Sequence, residues 1–175
     1  YSSLERNKEK TKENLSFVVY SITPVQDFIG KARKLRDYWT GSVLLSYLAF
    51  CGIKTVMEEL GPDHILYPSL QNQALIEQWL TKNIKGLEEL LEENGSLSEL
   101  NKSTLSIASF PNKFVFLCNK DDVAEICSLI ENSIKDEWKN TAEIVRKFIA
   151  EKTDSADSKE FNIIWDNTIE GFWKL

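Results

Sequence analysis

After a polar lead, the first patterned stretch is Phe17-Val18-Val19-Tyr20, a run of β-branched and aromatic residues that predicts a short strand. Thr23-Pro24-Val25-Gln26 follows with the signs of a helix start: a hydroxyl at the N-cap, a first-turn proline and a glutamine at the third helical position. Val25, Phe28, Ile29, Ala32, Leu35 and Trp39 then recur at helical spacing and predict a buried stripe. Gly30 falls inside that helix, where glycine costs about 1 kcal/mol relative to alanine. Close approach by a ligand and packing against a neighbouring element both account for it. Thr40-Gly41-Ser42 interrupts the pattern, so Val43 to Leu60 reads as a second helix or as a continuation past a kink.

Gly61-Pro62-Asp63 ends that run, and His64 to Tyr67 predicts a second, short strand. From Asn72 to Ile84, the positions Leu75, Ile76, Trp79, Leu80 and Ile84 describe an amphipathic helix. Gly86 to Ser106 is dominated by Leu, Glu, Ser and Asn, with a further helix expected at Leu87 to Glu93, so residues 72–108 read as a variable helical excursion. Phe110-Pro111-Asn112 turns the chain into Lys113 to Asn119, the clearest strand after the first. Asp121-Asp122 then caps a helix running to about Ala150, with Val123, Ile126, Cys127, Ile130, Ile134 and Trp138 on one side and a break open near Asn140. Thr153 to Lys159 is a polar linker. Phe161 to Leu175 is amphipathic through Ile164, Trp165, Ile169, Phe172 and Trp173.

Strand, helix, strand, excursion, strand and helix, in that order, predict an α+β fold: a ferredoxin-like core whose last strand is missing or starts near Phe172. A doubly wound layer would need more strands. With 175 residues, 42% of them hydrophobic, the chain can bury a core as one domain over residues 15–175, and Tyr1 to Asn14 reads as a polar linker from a preceding domain. Its only methionine is Met57, so the expectation is an internal piece of a longer protein. The pattern predicts no signal peptide and no membrane span. Cys51, Cys118 and Cys127 lack paired spacing and read as small core residues in a reducing cytoplasm, and His64, a lone histidine, reads as a surface turn residue.

Charge narrows the chemistry. A net charge of −6 argues against a free-standing nucleic-acid binder. Lys31, Arg33, Lys34 and Arg36 form a local basic group, either a solvated helix face or a contact for phosphate or a partner subunit. Free N–H groups and the positive dipole end at Thr23 to Gln26 would face whatever lies beyond the first strand, a geometry that invites an anion. Ser42 and Ser46, one turn apart, either line a pocket or bond back to helix carbonyls. Neither catalytic residues nor metal ligands are assigned.

Several motifs carry a resemblance: Val25-Gln26-Asp27-Phe28-Ile29, Ala32-Arg33-Lys34, Arg36-Asp37-Tyr38-Trp39 and Gly41-Ser42-Val43-Leu44-Leu45-Ser46. Tyr67-Pro68-Ser69-Leu70 and Ser109-Phe110-Pro111-Asn112-Lys113-Phe114 follow in the same order. Together they resemble the first Palm domain of the large polymerase/cyclase subunit of type III CRISPR effector complexes, of the Cmr type (III-B). That resemblance implies a Palm core of the adenylyl-cyclase/GGDEF kind, paired with a second Palm that carries a Gly-Gly-Asp-Asp motif and holds Mg or Mn. ATP, the substrate, lies between the two and is converted to cyclic oligoadenylates when target RNA is bound.

In this chain the first strand ends Tyr20-Ser21-Ile22-Thr23 without a carboxylate, and nothing between Tyr67 and Phe114 resembles Gly-Gly-Asp-Asp. By the resemblance it is therefore the degenerate half, inactive alone. It would place Ser21, Ile22, Thr23, Pro24, Gln26 and Asp27 near one ATP, with Arg33, Ser42 and Ser46 as further nucleotide-binding candidates. Lys31, Lys34 and Arg36 would serve an interface or a phosphate. The implied partners are the remainder of the large subunit, other Cmr effector subunits, and guide and target RNA through the complex, in the cytoplasm and away from membranes. A scaffold module that docks other subunits or RNA without touching ATP is the alternative, and an unrelated ferredoxin-like regulatory domain is a third reading.

Overall fold

A computed structural model of the chain describes residues 14–30, 32–87, 89, 107–153 and 158–171. Strand β1 (Leu15–Ser21) leads into a short helix α1 (Val25–Ile29) and a long helix α2 (Leu35–Glu59). A 3-10 turn at Pro62–His64 precedes β2 (Ile65–Tyr67), and α3 (Ala74–Asn83), β3 (Lys113–Asn119), α4 (Val123–Lys152) and α5 (Lys159–Gly171) complete the order. The architecture is thus α+β, with a three-stranded sheet ordered β1-β3-β2. Both pairings are antiparallel, and Val18 lies opposite Phe116 and Val19 opposite Val115.

Alternation along the strands sends Val18, Phe114, Phe116 and Cys118 to one face, where α2 and α4 cover them. α2 contributes Leu45, Leu48, Ala49, Ile53, Val56 and Met57, and α4 contributes Ile126, Ile130, Ile134 and Trp138, spaced at three or four residues as a buried helical stripe requires. Close packing of α2 on the sheet uses Gly52: a Cβ there would lie 3.0 Å from Phe114 Cζ and 3.1 Å from Ile134 Cδ1. α2 is long and apolar enough to cross a membrane by length and composition, contrary to the expectation that no such run exists. In the window that qualifies, 61% of the helix is buried inside the domain, so its apolarity serves the core.

The expected first helix differs most. It stops after Ile29, and the chain passes through Gly30 and residues 32–34 before α2 begins at Leu35 and runs unbroken through Thr40-Gly41-Ser42. Gly30 closes α1 as its C-cap, where its N–H donates to Gln26 O, and a Cβ would lie 2.7 Å from that carbonyl oxygen. With the helix broken, the stripe loses its lower half: Val25, Phe28 and Ile29 pack against the core, whereas Leu35 is 86% exposed and Trp39 52% exposed. Thr23 is not the cap either. Pro24, extended at φ −87° and ψ 119°, holds the N-cap position and no side chain bonds the helix start.

Elsewhere the differences are smaller. α4 is continuous past Asn140, and Asp122 at its N-cap accepts from Asn119 Nδ2 (3.1 Å) instead of bonding a helix amide. His64 is more than a surface turn residue, because its Nδ1 lies 2.7 Å from Leu117 O and ties the turn to β3. On α5, Ile164 is exposed, while Ile169 packs on the core and its carbonyl accepts from Trp138 Nε1 (3.1 Å). The polar lead to residue 13, Lys31, most of the helix expected at Leu87–Glu93, and the strand expected near Phe172 lie outside the described residues.

Candidate functional site

Four segments meet where β1 ends. Ile22, buried, donates its N–H to Asn112 O (2.8 Å), and Asn112 Nδ2 donates back to Ile22 O (3.2 Å). Phe110 donates its N–H to Ser46 Oγ (2.8 Å), fastening the same turn to α2. Phe28 of α1 rests against Gly41 of α2, where a Cβ would stand 3.5 Å from the ring. The result is a rim made from residues 21–24, α1, the α2 segment Gly41–Ser46 and the turn 110–112. Sequence reasoning read Phe110 and Asn112 as a turn and as part of a family motif but not as site residues; the Phe-Pro-Asn run before β3 was the available signal.

Ser21, Thr23, Gln26 and Asp27 lie exposed on this rim and Pro24 is half-buried. Ile22 points into the core and offers the rim no side chain. Ser46 is buried with its hydroxyl engaged by Phe110, and Ser42 Oγ donates to Tyr38 O (3.1 Å). Arg33, Lys34 and Arg36 are exposed on the loop and first turn beyond the rim, with no ion pair among the described residues. α1 has five residues, and the amides of its first turn lack intrahelical acceptors.

Beside the rim, no described element covers the second face of the sheet. Leu15, Phe17 and Val19 of β1 are 44%, 74% and 64% exposed, and Leu66 of β2 is 48% exposed. In register, Phe17 sits opposite Leu117 and Val19 opposite Val115, which makes an apolar patch of cross-strand pairs.

A separate cavity of about 400 Å³ opens among α2, α3 and α4. In its wall Tyr47 donates to Glu137 Oε1 (3.1 Å), Trp79 Nε1 donates to Glu58 Oε1 (3.3 Å) and Lys54 pairs with Glu58 (3.7 Å). Burial, with Glu137 nearby, pushes the Cys51 thiol up to about 12, and burial with Cys51 and Glu137 raises the Tyr47 phenol above its usual range. These groups are neutral near pH 7 and serve packing. Among the described residues no cluster of His, Cys, Asp or Glu could hold a metal ion.

An α+β domain with one helix-covered sheet face, one apolar face left uncovered by the described residues and a polar rim at the strand end defines the class. The family described as "CRISPR-associated protein Cmr2, N-terminal" matches residues 17–143, and the chain belongs to it. It is thus part of the N-terminal region of a Cmr-type (III-B) CRISPR large subunit. A "CRISPR system Cmr subunit Cmr2" of Pyrococcus furiosus is 31% identical over 116 residues, 66% of this chain and 11% of the relative. A "CRISPR system CMR subunit Cmr2" of Saccharolobus solfataricus is 37% identical over 101 residues, 58% of this chain and 8% of the relative. The matches therefore cover about a tenth of these relatives' length.

Proposed function

We propose that this chain is the non-catalytic Palm half of a Cmr large subunit, lending nucleotide-binding walls to cyclic oligoadenylate synthesis in an RNA-guided effector. The observation that carries this reading is the exposed rim Ser21 to Asp27 at the end of β1, directly beside an apolar sheet face that no described element covers. A second Palm covering that face would put the rim at the seam between the two domains, where ATP could meet the amides at the start of α1. Catalytic carboxylates and their Mg or Mn would come from that second Palm, because β1 ends here without an acid. The sheet order β1-β3-β2 supports a ferredoxin-like Palm, whose fourth strand would pair on the free edge of β1.

Within that reading the candidates divide by role. Thr23, Gln26 and the amides of α1 face the nucleotide, and Arg33, Lys34 and Arg36 stand further out. Ile22, Ser42 and Ser46 act through the backbone they hold. ATP binding by the complete large subunit is the test. Thr23→Ala with Gln26→Ala should weaken ATP affinity at least fivefold without altering assembly with the other Cmr subunits. Unchanged ATP affinity together with lost assembly would establish the scaffold reading in its place.

A further inference from the structure

The first two turns of α2 are the least expected part of the surface. Leu35, Tyr38 and Trp39 fall at i, i+3 and i+4, so they share one helix face, and they are 86%, 53% and 52% exposed. Arg33, Lys34 and Arg36 flank that face, exposed and without an ion-pair partner among the described residues. Exposed Tyr and Trp beside Arg are the residue types enriched in interface hot spots.

We propose that this knob docks into an apolar pocket bordered by carboxylates, on a protein surface belonging to the part of the same large subunit that lies beyond this chain. Three observations select that occupant. The border is cationic, so its complement is acidic. The chain carries −6 overall, which disfavours a polyanionic nucleic acid. The relatives matched here extend far past the matched stretch, which covers 11% and 8% of their lengths, so subunits of this family carry much further protein surface. The inference rests on the family and not on ATP binding.

Zero-length carbodiimide coupling of the complete large subunit, read by peptide mass spectrometry, tests it. Lys34 should link to an Asp or Glu outside the 175 residues of this chain. Trp39→Ala, or Arg33→Glu with Arg36→Glu, should cut the yield of that link at least fivefold and raise proteolytic cleavage across residues 30–40 at least tenfold. Because these side chains are exposed, the circular dichroism of the variants should match the parent. Thr23→Ala, which probes the ATP rim, should leave the link unchanged, so failure of one proposal is separable from failure of the other. Links from Lys34 confined to a second copy or to another subunit, ultraviolet crosslinks from Tyr38 or Trp39 to an RNA probe, or no Lys34 link at all would each overturn the assignment.

Discussion

The two faces of the β1-β3-β2 sheet are made of the same kinds of residue and end in opposite surroundings. Phe114 and Phe116 are fully enclosed and Cys118 nearly so, whereas Phe17, one residue from Val18 on the same strand, is 74% exposed. Helices account for the difference: α2 and α4 each bring an apolar stripe to one face, and no described element reaches the other. Side-chain apolarity thus marks surface that gains by being covered, and the partner decides whether it is. A strand as continuously apolar as Phe17-Val18-Val19-Tyr20 suits a sheet buried on both faces.

The sharpest test of that contrast is to truncate the same residue type on each side. Phe116→Ala should cost about 3–5 kcal/mol in urea denaturation, because it removes a ring with no room to collapse. Phe17→Ala in this chain should stay within about 0.5 kcal/mol. In the complete subunit, the same Phe17 change should cost about 1.5–3 kcal/mol if a second domain covers the face. A Phe17 penalty that stays negligible in the complete subunit would show the face to be bare there as well.

Two smaller perturbations probe how tightly the covered side is held. Gly52→Ala should destabilise by about 1–3 kcal/mol, since its methyl would press on Phe114 and Ile134 within 3.1 Å. Ser46→Ala should cost about 1–3 kcal/mol by leaving the Phe110 amide buried without an acceptor, and chemical shifts of residues 110–112 should report the loosened turn. Should Ser46→Ala prove neutral, the rim is held by the Ile22–Asn112 pair alone.

The mildest expected effect is a pH dependence. Burial raises the Cys51 thiol from 9.0 to about 12 and, with Glu131 and Cys127 nearby, the Tyr20 phenol from 10.0 to about 12. The folded state therefore keeps these protons after the unfolded chain has lost them, so their contribution is whole below about pH 9 and declines as pH climbs from 9 towards 12. Denaturation midpoints across that range should fall, and Cys51→Ala should remove its own share of the decline that starts near pH 9, leaving the share of Cys118 and Cys127, whose thiols burial also raises.

Much of the fold was legible because periodicity survives in a single chain. The strands at 15–21 and 113–119 contain the runs Phe17–Tyr20 and Lys113–Asn119 that predicted them, and the stripe from Val123 to Trp138 appears where helical spacing puts it. What was misread lies between Gly30 and Ser42. Helical spacing continues through that stretch, but the spacing cannot reveal that the helix stops after Ile29 and restarts at Leu35, which takes Leu35 and Trp39 out of the stripe. The rim was half legible: Thr23, Gln26 and Asp27 could be named from the helix start, but Asn112, distant along the chain, could not.

Local order was the sequence's own to settle, because strand alternation, helix periodicity and the missing acid after Tyr20 depend on neighbours within a few residues. Tertiary structure alone decided that Ser46 fastens Phe110, that Asn112 clamps Ile22 and that one sheet face is covered while the other is not. Those outcomes join segments 64 and 90 residues apart, and no local preference carries information over such separations.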